Sequence, residues 1–212
     1  MSLRPALIGA CVLVSMVALD AAQQRDLDAR VEALLKRREG TWRDMNVPTV
    51  DGRTLHRLIV ENRFTRALEI GTSTGHSGLW IAWALSKTGG KLITLEIDPE
   101  RHRQALVNFK EAGLSAYVDA RLGDAHELVR QLPGPFDFVF SDADKEWYPN
   151  YLEAVWPKLV PGGIFTAHNV TMRGSGIREF LDALKRLPDG TTTIDNKSSA
   201  GLSITCKTAS SR

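Results

Sequence analysis

The chain has 212 residues, 43% apolar and 25% charged, values of a globular protein long enough to bury one sizeable core. Lysine and arginine number 27 against 25 aspartates and glutamates, and no basic stripe carries interleaved aromatics, so nucleic acid is not an expected partner. Two cysteines, Cys11 and Cys206, lack metal-ligand spacing and supply no disulfide framework.

The N-terminus comes first in chain order. Arg4 precedes an almost uncharged run of 14 residues, Ala6 to Leu19, which ends at Asp20. That length falls short of the roughly 20 residues that span a bilayer. A basic start before an apolar stretch has the pattern of a secretory signal, although Asp20 stands where cleavage wants a small residue. Ile8-Gly9-Ala10-Cys11 is close to a lipoprotein box. The expectation is a signal or anchor over 1–22, with export or membrane attachment, and a folded domain over 23–212. An uncleaved anchor or a buried helix is the alternative; without export or membrane attachment the expected location is cytoplasmic.

From Gln23 the pattern is regular. Leu27, Val31, Leu34 and Leu35 predict an amphipathic helix over 24–38. A loop with Pro48 and a short helix carrying Leu55, Leu58 and Ile59 follow. Apolar runs Ala67–Ile70, Leu92–Leu95, Phe136–Phe140 and Ile164–Ala167 read as buried parallel strands, with a more polar strand at Ala116–Leu122. Helices are expected at Ser77–Leu85, Pro99–Ala112, Ala125–Gln131, Trp147–Leu159 and Ser175–Leu187. Gly89-Gly90, Pro133-Gly134-Pro135 and Pro161-Gly162-Gly163 punctuate the joins. Two β-rich runs, Thr191–Asp195 and Leu202–Cys206, close the chain. The fold class is therefore α/β: a Rossmann-like, doubly wound, mostly parallel seven-stranded sheet with a C-terminal antiparallel hairpin.

Such a sheet binds ligands beyond the carboxyl ends of its strands. The first strand ends in Glu69-Ile70-Gly71-Thr72-Ser73-Thr74-Gly75-His76-Ser77-Gly78. Its glycine spacing is not the dinucleotide G-x-G-x-x-G, and Glu69 repels a pyrophosphate while favouring a cationic amino-acid group. Glu96, 25 residues after Gly71, is placed to accept from a ribose diol. Asp98 is the expected cap of the following helix, with Pro99 in its first turn. Gly123-Asp124-Ala125-His126 ends the third strand, where an adenine would lie. The fourth runs into Ser141-Asp142-Ala143-Asp144-Lys145, a charged cluster in which Asp144 is either reactive or a helix cap. The fifth ends in His168-Asn169.

These residues carry a resemblance. Leu68 to Gly78 (LEIGTSTGHSG), Ile93 to Pro99 (ITLEIDP), Phe136 to Tyr148 (FDFVFSDADKEWY) and Met45-Asn46-Val47 resemble the small O-methyltransferases of the catechol and caffeoyl-coenzyme A type over Met45 to Lys207. The resemblance implies S-adenosylmethionine as cofactor, with its methionine part at Val47, Glu69, Gly71 and Ser77, its ribose at Glu96, and its adenine edge at Ala125 and His126. It implies Asp142 for both cofactor and metal, Lys145 as general base and Asn169 as a metal ligand. His168 departs from the family, which has Asp there. That removes a hard oxygen donor favoured by Mg²⁺ and leaves a softer divalent ion, or a base acting without metal, as alternatives.

The expected reaction is in-line methyl transfer to a hydroxyl of a small aromatic acceptor. Lys145 would act as base if burial or a second cation favoured its free amine, with Trp42, Met45, Trp147, Tyr148 and Met172 as walls. A cofactor-binding protein that has lost its chemistry at His168, and a nicotinamide-dependent dehydrogenase, are the competing readings. A homodimer is left open.

Overall fold

The computed structural model describes residues 6–42 and 44–209, with residues 6–20 described by their backbone alone. Arg4 and the side chains of the apolar run, Cys11 included, lie outside the described residues. One helix, α1 (Ala6–Arg37), runs through the expected boundary at 22/23. Its described part packs Val31 and Leu34, both buried, into the core. Among the described residues no helix is long and apolar enough to cross a membrane.

After α2 (Thr49–Asn62) the chain alternates: β1 (Arg66–Ile70), α3 (His76–Thr88), β2 (Lys91–Glu96), α4 (Pro99–Ala112), β3 (Val118–Leu122), α5 (Ala125–Gln131), β4 (Phe136–Ser141), α6 (Tyr148–Val155), β5 (Leu159–His168), α7 (Ser175–Arg186), β6 (Gly190–Asp195) and β7 (Leu202–Lys207). The sheet order is β3-β2-β1-β4-β5-β7-β6. The first five strands pair in parallel, while β7 runs antiparallel to both β5 and β6. The seven-stranded sheet with its terminal hairpin is as expected.

Both faces of the sheet are covered, which is why its central strands are continuously apolar. Successive side chains point to opposite faces. Ala67, Leu92, Phe138 and Phe140 join the core under α1 to α4. Leu68, Ile70, Val139 and Phe165 join the core under α5 to α7. Chain order reverses between β1 and β4, so the ends of β1, β2 and β4 frame the switch-point crevice.

Two elements differ from expectation. Pro161-Gly162-Gly163 is part of β5 instead of preceding it; the register to β4 shifts between Phe136 and Phe138, and Gly162 has φ +81°. The triplet is an irregularity absorbed within a strand. The helix expected over Trp147–Leu159 is α6 flanked by 3-10 turns at Lys145–Trp147 and Trp156–Lys158. Trp156 keeps helical dihedrals, and Pro157, which has no amide hydrogen to donate, ends the α-helical hydrogen bonding there.

Candidate active site

The turn after β1 builds the floor of the crevice. Gly71 has φ +96°, and a Cβ there would stand 3.0 Å from the Ala143 backbone nitrogen. Only glycine lets the β1 and β4 loops approach so closely. The Gly71 and Thr72 amides donate to the Leu95 carbonyl at 3.0 and 3.1 Å, and the Asp142 amide donates to that of Ile70 at 2.9 Å. The three strand ends are thereby locked around one cavity of about 470 Å³.

Of the expected cofactor residues, Gly71, Glu96, Ala125, His126 and Asp142 line this cavity. Glu96 is held by three backbone amides: Ser73 donates to Oε2 at 2.7 Å, and Ile97 and Asp98 donate to Oε1 at 3.0 and 2.9 Å. Oε2, with one amide donor, keeps acceptor capacity for a ribose hydroxyl, while Oε1 already accepts two amides. Asp98 caps α4 as expected, accepting from the Glu100 and Arg101 amides. Asp144 makes no cap hydrogen bond to its own turn; its carboxylate lies 3.1 Å from His126 Nε2.

Val47, Glu69 and Ser77 are buried and do not line the cavity. Glu69 has no accessible surface, and its Oε1 has no protein partner. Burial pushes its carboxyl up to about 8, against the opposing pull of hydrogen bonds from Ser77 and Thr94. A buried carboxylate oxygen without a donor suits a cationic group such as the ammonium of a methionine moiety. Val47 acts through its carbonyl, which accepts from His76 Nδ1 at 2.9 Å, while His76 Nε2 accepts from the Trp80 indole at 3.2 Å. Burial lowers His76 to about 4, so the ring is neutral and clasps the Val47 segment to α3.

Several site features escape the sequence. Asp44 and Arg101 form a two-bonded ion pair (2.8 and 2.9 Å) beside Met45. His126 stacks on Trp147, with ring centroids 3.5 Å apart and planes 9° from parallel. Met45, Ser73 and Asn169 hold positive φ without being glycine, a strain that concentrates at functional sites. The spacing of Met45-Asn46-Val47 hints at the first of these, and nothing in the sequence indicates the stack.

The charged edge at the ends of β4 and β5 differs most from expectation. Lys145 Nζ donates to Asp142 Oδ1 at 2.7 Å. His168, 4% exposed, places Nε2 at 2.9 Å from Asp51 Oδ2 and Nδ1 at 3.2 Å from Asp142 Oδ2. The first contact is an aligned hydrogen bond; the second is an ion-pair contact off the N–H axis, leaving Nδ1 without an aligned acceptor. Ser198 also donates to Asp51 Oδ2, at 2.6 Å. Burial alone would lower His168, but the carboxylates of Asp142 and Asp51 outweigh it and raise it to about 9.

Of the implied metal ligands, Asp142 and His168 are in contact, and Asn169 follows directly after β5 with a positive φ. They do not fit a divalent ion. Both ring nitrogens of His168 face carboxylates, both oxygens of Asp142 face cationic side chains, and ligation would require His168 to give up its proton beside Lys145. No cluster of three or more histidine, cysteine, aspartate or glutamate side chains able to hold a metal occurs among the described residues. His168 itself does not line the cavity, and its ring nitrogens are turned to Asp51 and Asp142. Lys145 stands part-exposed against the Asp142 carboxylate.

The comparisons agree with this geometry. The O-methyltransferase family pattern matches residues 21–186. Catechol O-methyltransferase of Niastella koreensis is 36% identical over 156 residues, covering 72% of this chain and 70% of the relative. Caffeoyl-CoA O-methyltransferase 1 of Eucalyptus globulus is 31% identical over 175 residues, covering 76% and 71%. The O-methyltransferase of Bacillus cereus, solved in complex with S-adenosylhomocysteine, superposes with a TM-score of 0.71 at 28% identity, covering 84% of this chain and 90% of that one. A Streptomyces achromogenes O-methyltransferase involved in tomaymycin synthesis, solved with S-adenosylmethionine, gives 0.70 at 29% identity, covering 84% and 88%. The nicotinamide-dependent alternative falls away. With its orphaned Glu69 oxygen, preset Glu96 and glycine-floored crevice, the chain belongs to the O-methyltransferase family and is an enzyme that uses S-adenosylmethionine.

Proposed function

We propose that the chain methylates a hydroxyl of a small aromatic, catechol-like acceptor, and that Lys145 meets this hydroxyl. The observation that carries the reading is the Lys145–Asp142 pair, a part-exposed ammonium at the edge of the cofactor cavity. The names of the relatives, acting on catechol and caffeoyl-CoA, supply the substrate class. Bound S-adenosylmethionine supplies an electrophilic methyl group. The protein has to align an oxygen with it and favour the oxygen's anionic form.

The Lys145 ammonium, held by Asp142, stands against the acceptor oxygen and stabilises the phenolate that forms as the hydroxyl proton passes to water. Met45 and Met172, 70% and 54% exposed, offer adaptable apolar contacts for a ring. The apolar run Ala6–Leu19 is proposed as an export or attachment segment. To test the acceptor reading, Lys145→Ala is assayed with catechol. The variant should lose roughly 10²- to 10⁴-fold in kcat while binding S-adenosylhomocysteine within a few-fold of wild type. Retained turnover would remove Lys145 from the chemistry.

A further inference from the structure

The alternating charges Asp51, His168, Asp142 and Lys145 form one connected line from α2 to the acceptor edge. Asp51 lies in the first turn of α2, 1% exposed, and is fixed by Ser198 from the β6–β7 turn. His168 ends β5, and Asp142 and Lys145 follow β4. The Tyr148 hydroxyl bridges the carbonyls of Ser141 and His168 at 3.1 and 2.9 Å, tying the two strand ends together. Buried charges persist when they are paired and hydrogen-bonded. Two carboxylates alternate here with two cationic side chains, so the line is balanced as it stands. A divalent ion would bring extra positive charge beside Lys145 and would have to displace the Nδ1 proton.

We propose that His168 is the resident cation of this edge: its imidazole ring, closed between Asp51 and Asp142, takes the place of a metal ion and positions Asp142 for cofactor and Lys145, so that methyl transfer proceeds without metal. This rests on the Asp142–Lys145 edge being where the acceptor meets the cofactor. His168 is a positioning residue, because its N–H groups face carboxylates instead of open cavity. Asp51 is its required partner: without that carboxylate the ring is held only by the off-axis contact to Asp142. The acceptor then needs one hydroxyl within reach of Lys145 and does not need a second to chelate an ion. A monophenol should serve as well as a vicinal diol.

The test uses the full chain and begins with binding, so it does not depend on knowing the acceptor. MgCl₂, MnCl₂ and ZnCl₂ are titrated calorimetrically, and the ¹⁵N resonances of the His168 ring are followed in parallel. The wild type should take up none of the three ions at this edge. Both ring nitrogens should resonate as protonated nitrogens near neutral pH, and addition of Mn²⁺ should leave them unbroadened. His168→Asp should gain Mg²⁺ affinity by at least about tenfold, and Asp51→Asn should move the ring resonances towards neutral imidazole. With an acceptor in hand, wild-type turnover should survive chelator within about twofold, whereas His168→Asp should become chelator-sensitive. Site-specific Mn²⁺ broadening of the ring, or a wild type silenced by chelator and restored by Mg²⁺ or Mn²⁺, would overturn the proposal. The wild-type titration stands even if a variant fails to fold. If no phenol is methylated but the ring is protonated and metal-free, the acceptor reading fails and this assignment survives.

Discussion

Glu96→Ala isolates the ribose contact. In the native site the carboxylate is 6% exposed and fixed by three amide donors, those of Ser73, Ile97 and Asp98. Its orientation is therefore set before the cofactor arrives, and little ordering is lost on binding. Hydrogen bonds to a charged group contribute about 1.5–3 kcal/mol, so the variant should bind S-adenosylhomocysteine roughly 10- to 150-fold more weakly. The same three amides lose their acceptor, yet the cavity beside them admits water, so the stability cost should stay near about 1–2 kcal/mol. Calorimetric titration with S-adenosylhomocysteine gives the affinity, and urea unfolding gives the stability. A well-folded variant that binds within twofold of wild type would refute the assignment of Glu96 to the ribose.

Four further outcomes follow from the same geometry. Glu69, pushed up to about 8 by burial, is protonated at pH 7 before the cofactor binds; an ammonium placed against it favours the carboxylate, so binding should release a proton. Titrations in buffers of different ionisation heat should reveal it, and buffer-independent heats would remove Glu69 from the methionine site. His168 is raised from 6.5 to about 9 by its two carboxylates once burial is overcome. Its stabilisation is fully present below pH 6.5 and lost as pH rises through 9, amounting to roughly 3 kcal/mol. The fall in stability between pH 7 and 9.5 should be shallower in His168→Gln, and an identical slope would contradict the pairing. Removal of residues 1–22 should lower the melting temperature by no more than about 4 °C, because Val31, Leu34 and the Asp28–Lys87 ion pair remain. Leu34→Ala should cost about 2–5 kcal/mol, and a collapse of the truncated chain would assign the apolar run to the core.

The sequence discloses what depends on local pattern. The central strands are legible because both faces of a parallel sheet must be apolar, and α4 is bounded by Asp98-Pro99 at one end and Gly113 at the other. Gly71 and Glu96 are legible because a strand-end turn and a ribose contact each need a particular residue type at a particular spacing. Asp51 is not legible: it is 117 residues from His168, and only the packing of α2 against the end of β5 brings the two together. The stack of His126 on Trp147 is hidden in the same way. Lys145 shows the intermediate case, since its place was readable and its partner was not. The Pro-Gly-Gly triplet misleads because turn chemistry also serves an irregular strand when a neighbour supplies the register.

The proposed reaction moves a methyl group from S-adenosylmethionine to the oxygen of a small aromatic acceptor. The direct measurement is transfer of an isotopically labelled methyl group, followed by mass spectrometry, with catechol, caffeate and a monophenol as acceptors and with chelator present. A labelled methyl ether and an equal amount of S-adenosylhomocysteine are expected. A protein that binds S-adenosylhomocysteine tightly yet labels none of these acceptors, with or without added metal, would contradict it.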